Sequence, residues 1–284
     1  MSTKQIGWIG LGKMGIPMSQ RLINAGYPVT VYNRNKEKEA ELKAQGATTA
    51  TTPAQLLEQT EVVIIMVSDD RAIQDIFTAE QGLLNAAATG KIIINMSTVS
   101  PAVSKEMAAF CEQKGNHYLD APVSGSVKPA QDGQLVIMAG GDPETFEIAK
   151  PILECMGKLA LRVGDYGAGN TAKLAINTLL AIQIQGLAEA VKLAEQNGIA
   201  PTQLIELINN SAIGNAISKL KGDAILNDNY SAAFALKHIA KDLRLAKDIG
   251  LNTPVAEAAF DTYQKAEAEF GDEDIVAVKK QLDL

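Results

Sequence analysis

The sequence predicts an α/β protein: an N-terminal doubly wound, Rossmann-type, mostly parallel sheet, followed by an all-helical C-terminal domain with one long buried helix. Three observations carry this prediction. Short apolar runs rich in β-branched residues alternate with helical segments up to Gly164, as strand–helix–strand repetition requires. A glycine-rich turn stands directly after the first of those runs. Beyond Gly164 the strand signals stop and a long, proline-free apolar segment begins at Asn170.

The strands come first. Gln5 to Ile9, Val29 to Tyr32, Val62 to Val67 and Ile92 to Asn95 lack alternation of apolar and polar residues, which is the signature of parallel strands covered on both faces. Pro17 to Asn24, Lys36 to Gln45 and Val103 to Lys114 read as connecting helices, and the later runs Leu135 to Ala139 and Leu159 to Val163 extend the sheet. The segment from Asn170 to Gln196 is apolar around most of its circumference, so it is expected to be buried on nearly all sides, in the domain core or against a partner subunit. Pro201 and Pro254 each open a further helix. At about 150 residues per domain, the 284 residues correspond to two domains, with the boundary expected between 163 and 164: a dinucleotide-binding domain, 1–163, and a helical substrate and oligomerisation domain, 164–284.

Composition excludes several classes of function. The chain is 46% hydrophobic and 21% charged, ordinary globular usage. Its 26 basic and 33 acidic residues give a net charge of -7, so nucleic acid and anionic membrane surfaces are not expected partners. Cys111 and Cys155 form no CxxC pair, and with His117 and His238 as the only histidines no metal site is expected. The start, MSTKQIGWIG, has no secretory pattern and no run approaches a bilayer span, so a cytoplasmic protein is expected.

Gly10-Leu11-Gly12-Lys13-Met14-Gly15 fits GxGxxG after a strand and before a helix. The first glycine permits the tight turn, the second the approach of a diphosphate and the third close helix–strand packing; the helix N-terminus offers N–H groups to the anion. The second strand ends not in the acid typical of NAD sites but in Asn33-Arg34-Asn35. A carboxylate there would repel a 2′-phosphate, whereas an arginine grips it, so NADP(H) is preferred over NAD(H). Farther along, Lys173 and Asn177 are four residues apart on the most apolar helix and so share a face. A lysine in such surroundings loses hydration and yields its proton more readily, which suits a general acid for carbonyl reduction.

GLGKMGIPM at Gly10, DAPVSGSVKPA at Asp120, GAGNTAKLAIN at Gly167 and KDLRLA at Lys241 resemble, in order and over essentially the whole chain, the four signature regions of the β-hydroxyacid dehydrogenase family. The resemblance implies Lys173 as catalytic lysine and Asn177 as the residue orienting it and the substrate. It implies that Ser124 and Gly125, with Ser126, hold a substrate carboxylate, and that Phe234 and Asp242 border the substrate. Thr98, Val67, Ser68 and Lys241 are implied as cofactor contacts beside the glycine loop. Lys128 to Leu135 and FALKHIAKD, from Phe234 to Asp242, are similar to the glyoxylate/succinic semialdehyde reductase branch. Two features depart from it: Ser126 replaces a second glycine, and TLLAIQIQG follows Asn177 where that branch is rich in methionine.

The resulting expectation is an NADP(H)-dependent reductase of a small carboxylate-bearing aldehyde, equally an oxidant of the hydroxy acid, assembled as a homodimer or homotetramer. Its rivals are a 3-hydroxyisobutyrate dehydrogenase or tartronate semialdehyde reductase proper, an imine reductase, and a non-catalytic NADP-binding interaction module.

Overall fold

The computed structural model describes residues 4–283. They fall into two compact units, Met1–Lys173 and Leu174–Leu284, and the division lies inside one continuous helix.

The first unit alternates strand and helix: β1 (Ile6–Ile9), α1 (Gly15–Asn24), β2 (Val29–Tyr32), α2 (Ala40–Lys43), β3 (Thr48–Thr49), α3 (Pro53–Gln59), β4 (Val62–Ile65), α4 (Asp70–Thr78), β5 (Ile92–Asn95) and α5 (Pro101–Gln113). There follow β6 (His117–Asp120), β7 (Val123–Ser124), α6 (Val127–Gln131), β8 (Leu135–Gly141), α7 (Pro143–Glu154), β9 (Gly157–Gly164) and the start of α8 (Ala168–Gln196). The sheet order is β3-β2-β1-β4-β5-β6-β8-β7, with β9 on the free side of β8. Strands β3 through β6 are mutually parallel, in the order of a dinucleotide-binding fold. The short β6–β7–α6 connection turns the chain back, so β8 runs antiparallel to β6 and β7, and β9 then lies parallel to β8 after the α7 crossover.

Burial on both faces explains the unbroken apolar runs. Val62 and Ile64 enter one core with Trp8, Met18 and Ile94, while Val63 and Ile65 enter the opposite core with Leu56, Phe77 and Ile93. Helix starts are set by local chemistry: Thr52, Asp69, Ser100 and Asp142 each accept an N–H of the first turn, and Pro53, Pro101 and Pro143 occupy its first position.

Two expectations are corrected. Lys36 to Gln45 is not one helix but a 3₁₀ turn at Lys36–Glu39 running into α2, because Asn35 caps the turn and the buried Glu39 carboxylate accepts from Asn33 N–H and Lys36 Nζ. The third apolar run leaves the sheet at Ile65, where Met66 enters the loop above β1. Within α8, Lys173, Leu174, Asn177, Ala181, Ile184, Ala188 and Val191 are buried by this chain, whereas Ile176, Leu179 and Leu193 are exposed along one side. Among the described residues α8 is the helix whose length and apolarity would suit a membrane span. Its polar side chains Lys173, Asn177 and Gln185 are buried, as in the core helix of a folded domain.

The second unit continues from α8 through α9 (Pro201–Asn210), α10 (Ala216–Leu226), α11 (Leu236–Asp248), α12 (Pro254–Phe270) and α13 (Val278–Gln281). Its core joins Ala181, Ile184 and Ala188 of α8 to Leu236, Ile239 and Leu243 of α11 and to Tyr263 and Ala266 of α12. Pro201 and Pro254 open α9 and α12.

Candidate cofactor and catalytic site

The glycines after β1 divide into two kinds. Gly10 has φ +99°, and a Cβ there would lie 2.1 Å from Met66 O; at Gly15 it would lie 2.0 Å from Gly10 O. Both are required by the protein itself. A Cβ on Gly12 would meet nothing within 4 Å, so the loop is bare on the side that the second glycine presents. Helix α1 starts behind it with no side-chain cap at Met14 and no acidic residue in its first turn, leaving the positive end of its dipole to an anion. Trp8 Nε1 donates to Gly10 O at 3.0 Å and Leu11 N–H to Asn33 Oδ1 at 2.9 Å, so the loop is braced from two sides. Leu11 itself points into the core, whereas Lys13 is exposed and Met14 half-buried. This bare, braced loop at a helix N-terminus fits the diphosphate of a dinucleotide.

At the end of β2 the three candidate residues have different surroundings. Asn33 spends its amide on the protein: Oδ1 accepts from Leu11 N–H, and Nδ2 donates to Asn35 O at 2.7 Å. Asn35 Oδ1 caps the 3₁₀ turn by accepting from Glu37 N–H at 3.0 Å. Arg34 is exposed, and its guanidinium makes no hydrogen bond or ion pair with another described residue. The neighbouring cation, Lys36, is engaged with Glu39, Ala50 O and the Tyr32 ring.

The loops after β4 and β5 are tied to each other at the carboxyl edge of the sheet. Val67 N–H donates to Ser97 Oγ at 2.9 Å, Ser97 N–H to Asn95 Oδ1 at 3.0 Å, and Asn95 Nδ2 to the Tyr118 hydroxyl at 3.1 Å. Ser68 donates to Asp69, the cap of α4, and Thr98 is half-buried at the end of the second loop. Ser124 ends β7 half-buried; Gly125 is exposed with φ +134°, and Ser126 opens α6 without bonding to its own helix through its side chain.

Sequence reasoning missed Asp120 and Asn170. The Asp120 side chain, fully buried at the end of β6, accepts from Gly167 N–H through Oδ1 and from Asn170 N–H through Oδ2, both at 2.8 Å. Asn170 in turn accepts from Val99 N–H at 2.9 Å and donates to Ser104 Oγ at 3.0 Å. Lys173, 8% exposed, follows on the same first turns of α8. Desolvation pushes the Asp120 carboxyl up to about 6, against the lowering effect of the N–H donors.

In the second unit, buried Asn177 donates through Nδ2 to Asp242 Oδ2 at 2.5 Å. Lys241 Nζ pairs with Asp242 Oδ1 at 2.9 Å, an ion contact without hydrogen-bond alignment. The structure thus brings Asn177, Lys241 and Asp242 together. Phe234 stacks on His238 with ring centres 6.2 Å apart, and its backbone N–H, like that of Ala233, donates to the buried carboxylate of Asp274, which pairs with Lys221 at 2.6 Å. Asp274 and Lys221 carry no motif and were not legible as supports of Phe234.

Residues 5–167 match the NAD binding domain of 6-phosphogluconate dehydrogenase, and residues 167–282 match the NAD-binding region of NADP-dependent 3-hydroxyisobutyrate dehydrogenase. The chain is 36% identical over 287 aligned positions to glyoxylate/succinic semialdehyde reductase 2 of Arabidopsis thaliana, covering 99% of this chain and 80% of that protein. The solved 3-hydroxyisobutyrate dehydrogenase of Mycobacterium tuberculosis with L-serine superposes with a TM-score of 0.91 at 31% identity, over the full length of both chains. Psf3 in complex with NADP+ and 2-OPP superposes with a TM-score of 0.89 at 27% identity, covering 98% of this chain and 99% of that one.

Proposed function

Because the chain belongs to the β-hydroxyacid dehydrogenase family, we propose that it reduces a small semialdehyde or keto acid with NADPH, Lys173 delivering the proton. NAD(P)-dependent oxidation and reduction of small hydroxy acids follows from the family; the substrate, the preference for NADPH and the residue roles are our reading. One observation carries it. Lys173 at 8% exposure and Asn177 at 2% are polar side chains buried one turn apart on an apolar helix, where burial of a lysine serves chemistry better than stability.

The glycine loop, the N-terminus of α1 and Thr98 would hold the cofactor, with Arg34 as the cation free to take a 2′-phosphate. When bound, the nicotinamide supplies the hydride. Ser124 Oγ and the N–H groups of Gly125 and Ser126 would anchor the substrate carboxylate, which a protein of net charge -7 can bind only through such a local donor set. As the carbonyl oxygen gains negative charge, Lys173 donates a proton to it, and the lysine is reprotonated from solvent. Acid assistance of this kind contributes about 10²–10⁴-fold. Asn177 donates through Nδ2 to the Asp242 carboxylate, which fixes the orientation of its amide one turn beyond Lys173.

The similarity to the plant reductase supports glyoxylate or succinic semialdehyde as substrate. We also infer self-association. Ile176, Leu179 and Leu193 lie along one exposed side of α8, and a second copy of the chain would cover them; the mass in solution tests this. The deciding experiment for function compares NADPH oxidation with glyoxylate and with succinic, methylmalonic and tartronic semialdehydes. A kcat/KM highest for glyoxylate or succinic semialdehyde supports the reading. A maximum with methylmalonic semialdehyde reassigns the chain to the 3-hydroxyisobutyrate type, and turnover of none of the four refutes it.

A further inference from the structure

We propose that Asp120 is a positioning residue for the reaction: its ionised carboxylate grips the first turn of α8 by two backbone N–H groups and so fixes where Lys173 stands. The inference rests on the reading of Lys173 given above.

Geometry favours the charged form. Each oxygen of Asp120 accepts a separate N–H at 2.8 Å, from Gly167 and from Asn170. The carboxylate offers unencumbered lone pairs at both oxygens, whereas protonation gives up one of these sites to the O–H and weakens acceptance at that oxygen. Space has been cleared for this arrangement. A Cβ on Gly140 would fall 2.5 Å from Asp120 Oδ1, and one on Gly169 would fall 2.5 Å from Asp120 O and 2.4 Å from Met138 O. Two glycines therefore let β8 and the start of α8 close around one carboxylate. Lys173 is three residues past Asn170, about 4.5 Å along the helix axis. Asn170 carries the restraint onward to Val99, next to Thr98, and to Ser104. One buried charge thus references the lysine, the β5 loop and the strand that leads to Ser124 to a common point.

The arrangement is costly as architecture. Asp120 is fully buried, and no cation forms an ion pair with it among the described residues. Of the titratable and charged groups nearby, Tyr118 on its own strand senses the Asp120 charge, and Lys105 of α5 lies beside Gly167, while Asp165 approaches only with its backbone carbonyl and turns its carboxylate outward to Arg162. Desolvation raises its carboxyl to about 6, so it takes up a proton in mildly acid solution, and the grip on α8 is then halved.

The test compares the parent, Asp120→Asn and Lys173→Ala in NADPH oxidation with the best substrate of the panel, over about pH 5 to 8. Asparagine keeps the size and one acceptor but cannot hold both N–H groups. D120N is expected to bind NADPH as the parent does while kcat falls at least about tenfold, the scale of a misplaced catalytic group. The parent kcat should also decline through an apparent pKa near 6 that D120N lacks. A D120N enzyme with parental kcat and a parental acid limb overturns the proposal while leaving Lys173 untouched, provided K173A is inactive. A K173A enzyme with parental kcat instead removes the lysine reading on which the proposal stands. Should D120N not fold, the parent decides alone: kcat must fall below pH 6 while its circular dichroism and NADPH affinity hold, and a flat profile overturns the proposal.

Discussion

Replacing Gly12 by alanine separates what the glycine loop does for the protein from what it does for a ligand. No atom lies within 4 Å of the added Cβ, and Gly12 is not among the glycines with positive φ, so the apoprotein has nothing to rearrange. Melting temperature should be unchanged or slightly higher, because alanine reduces the freedom of the unfolded chain. Any loss must then arise at the ligand. If a diphosphate approaches as closely as the bare loop permits, the methyl group displaces it from at least one charge-assisted N–H bond. That is about 1.5–3 kcal/mol, or roughly 10- to 150-fold in Kd. Gly15→Ala is the control of opposite kind. Its Cβ would sit 2.0 Å from the Gly10 carbonyl, so the loop must shift even without ligand. Overpacking of about 1–3 kcal/mol lowers the melting temperature by about 2–12 °C in a chain of this size. Fluorescence titration of NADPH with thermal melts of both apoproteins makes the comparison. If G12A binds NADPH within about threefold of the parent, the diphosphate does not lie on this loop and the reasoning fails.

Arg34→Ala should erase most of the preference for NADPH by raising its KM about 10- to 150-fold while NADH kinetics stay near parental; a parent that already prefers NADH contradicts the role given to Arg34. Asp120 has a folded pKa raised to about 6 from 3.8, so its stabilising effect is complete below the lower value and is lost as pH rises through the higher. The difference in unfolding free energy between parent and D120N should therefore shift by about 2 kcal/mol against the parent from pH 4 to pH 7, measured by denaturant titration. A constant difference would show that Asp120 titrates normally. Lys221→Met strands the Asp274 carboxylate and should cost about 3–5 kcal/mol. Because Asp274 also holds the N–H groups of Ala233 and Phe234, substrate KM should rise more than the KM for NADPH.

Much of the first unit is written locally. β1, β2, β4 and β5 are legible because both faces of each are buried, and the glycine loop because its turn and close packing need no side chain. β6 was not anticipated: His117-Tyr118-Leu119-Asp120 mixes exposed and buried polar residues with apolar ones, and its pairing with β5 is set by the sheet. α3 and α7 were not anticipated either, although Thr52-Pro53 and Asp142-Pro143 start them by the same cap-then-proline chemistry that Ser100-Pro101 uses. The supports of the site were hidden by distance along the chain. Asp120 meets Gly167 and Asn170 47 and 50 residues later, and Asn177 meets Asp242 after 65. Composition alone did not separate which apolar positions of α8 its own chain covers, Ala181 and Ile184, from those it leaves exposed, Ile176 and Leu179, since an apolar side chain reads alike in either place.

Lys173 as proton donor is the central claim, and single-turnover oxidation of bound NADPH by K173A tests it most directly. With enzyme in excess and substrate saturating, the rate should fall at least about 10²-fold from the parental value, while the Kd for NADPH from fluorescence titration stays within about threefold. A single-turnover rate near the parental one, or a loss explained wholly by weaker NADPH binding, would contradict it.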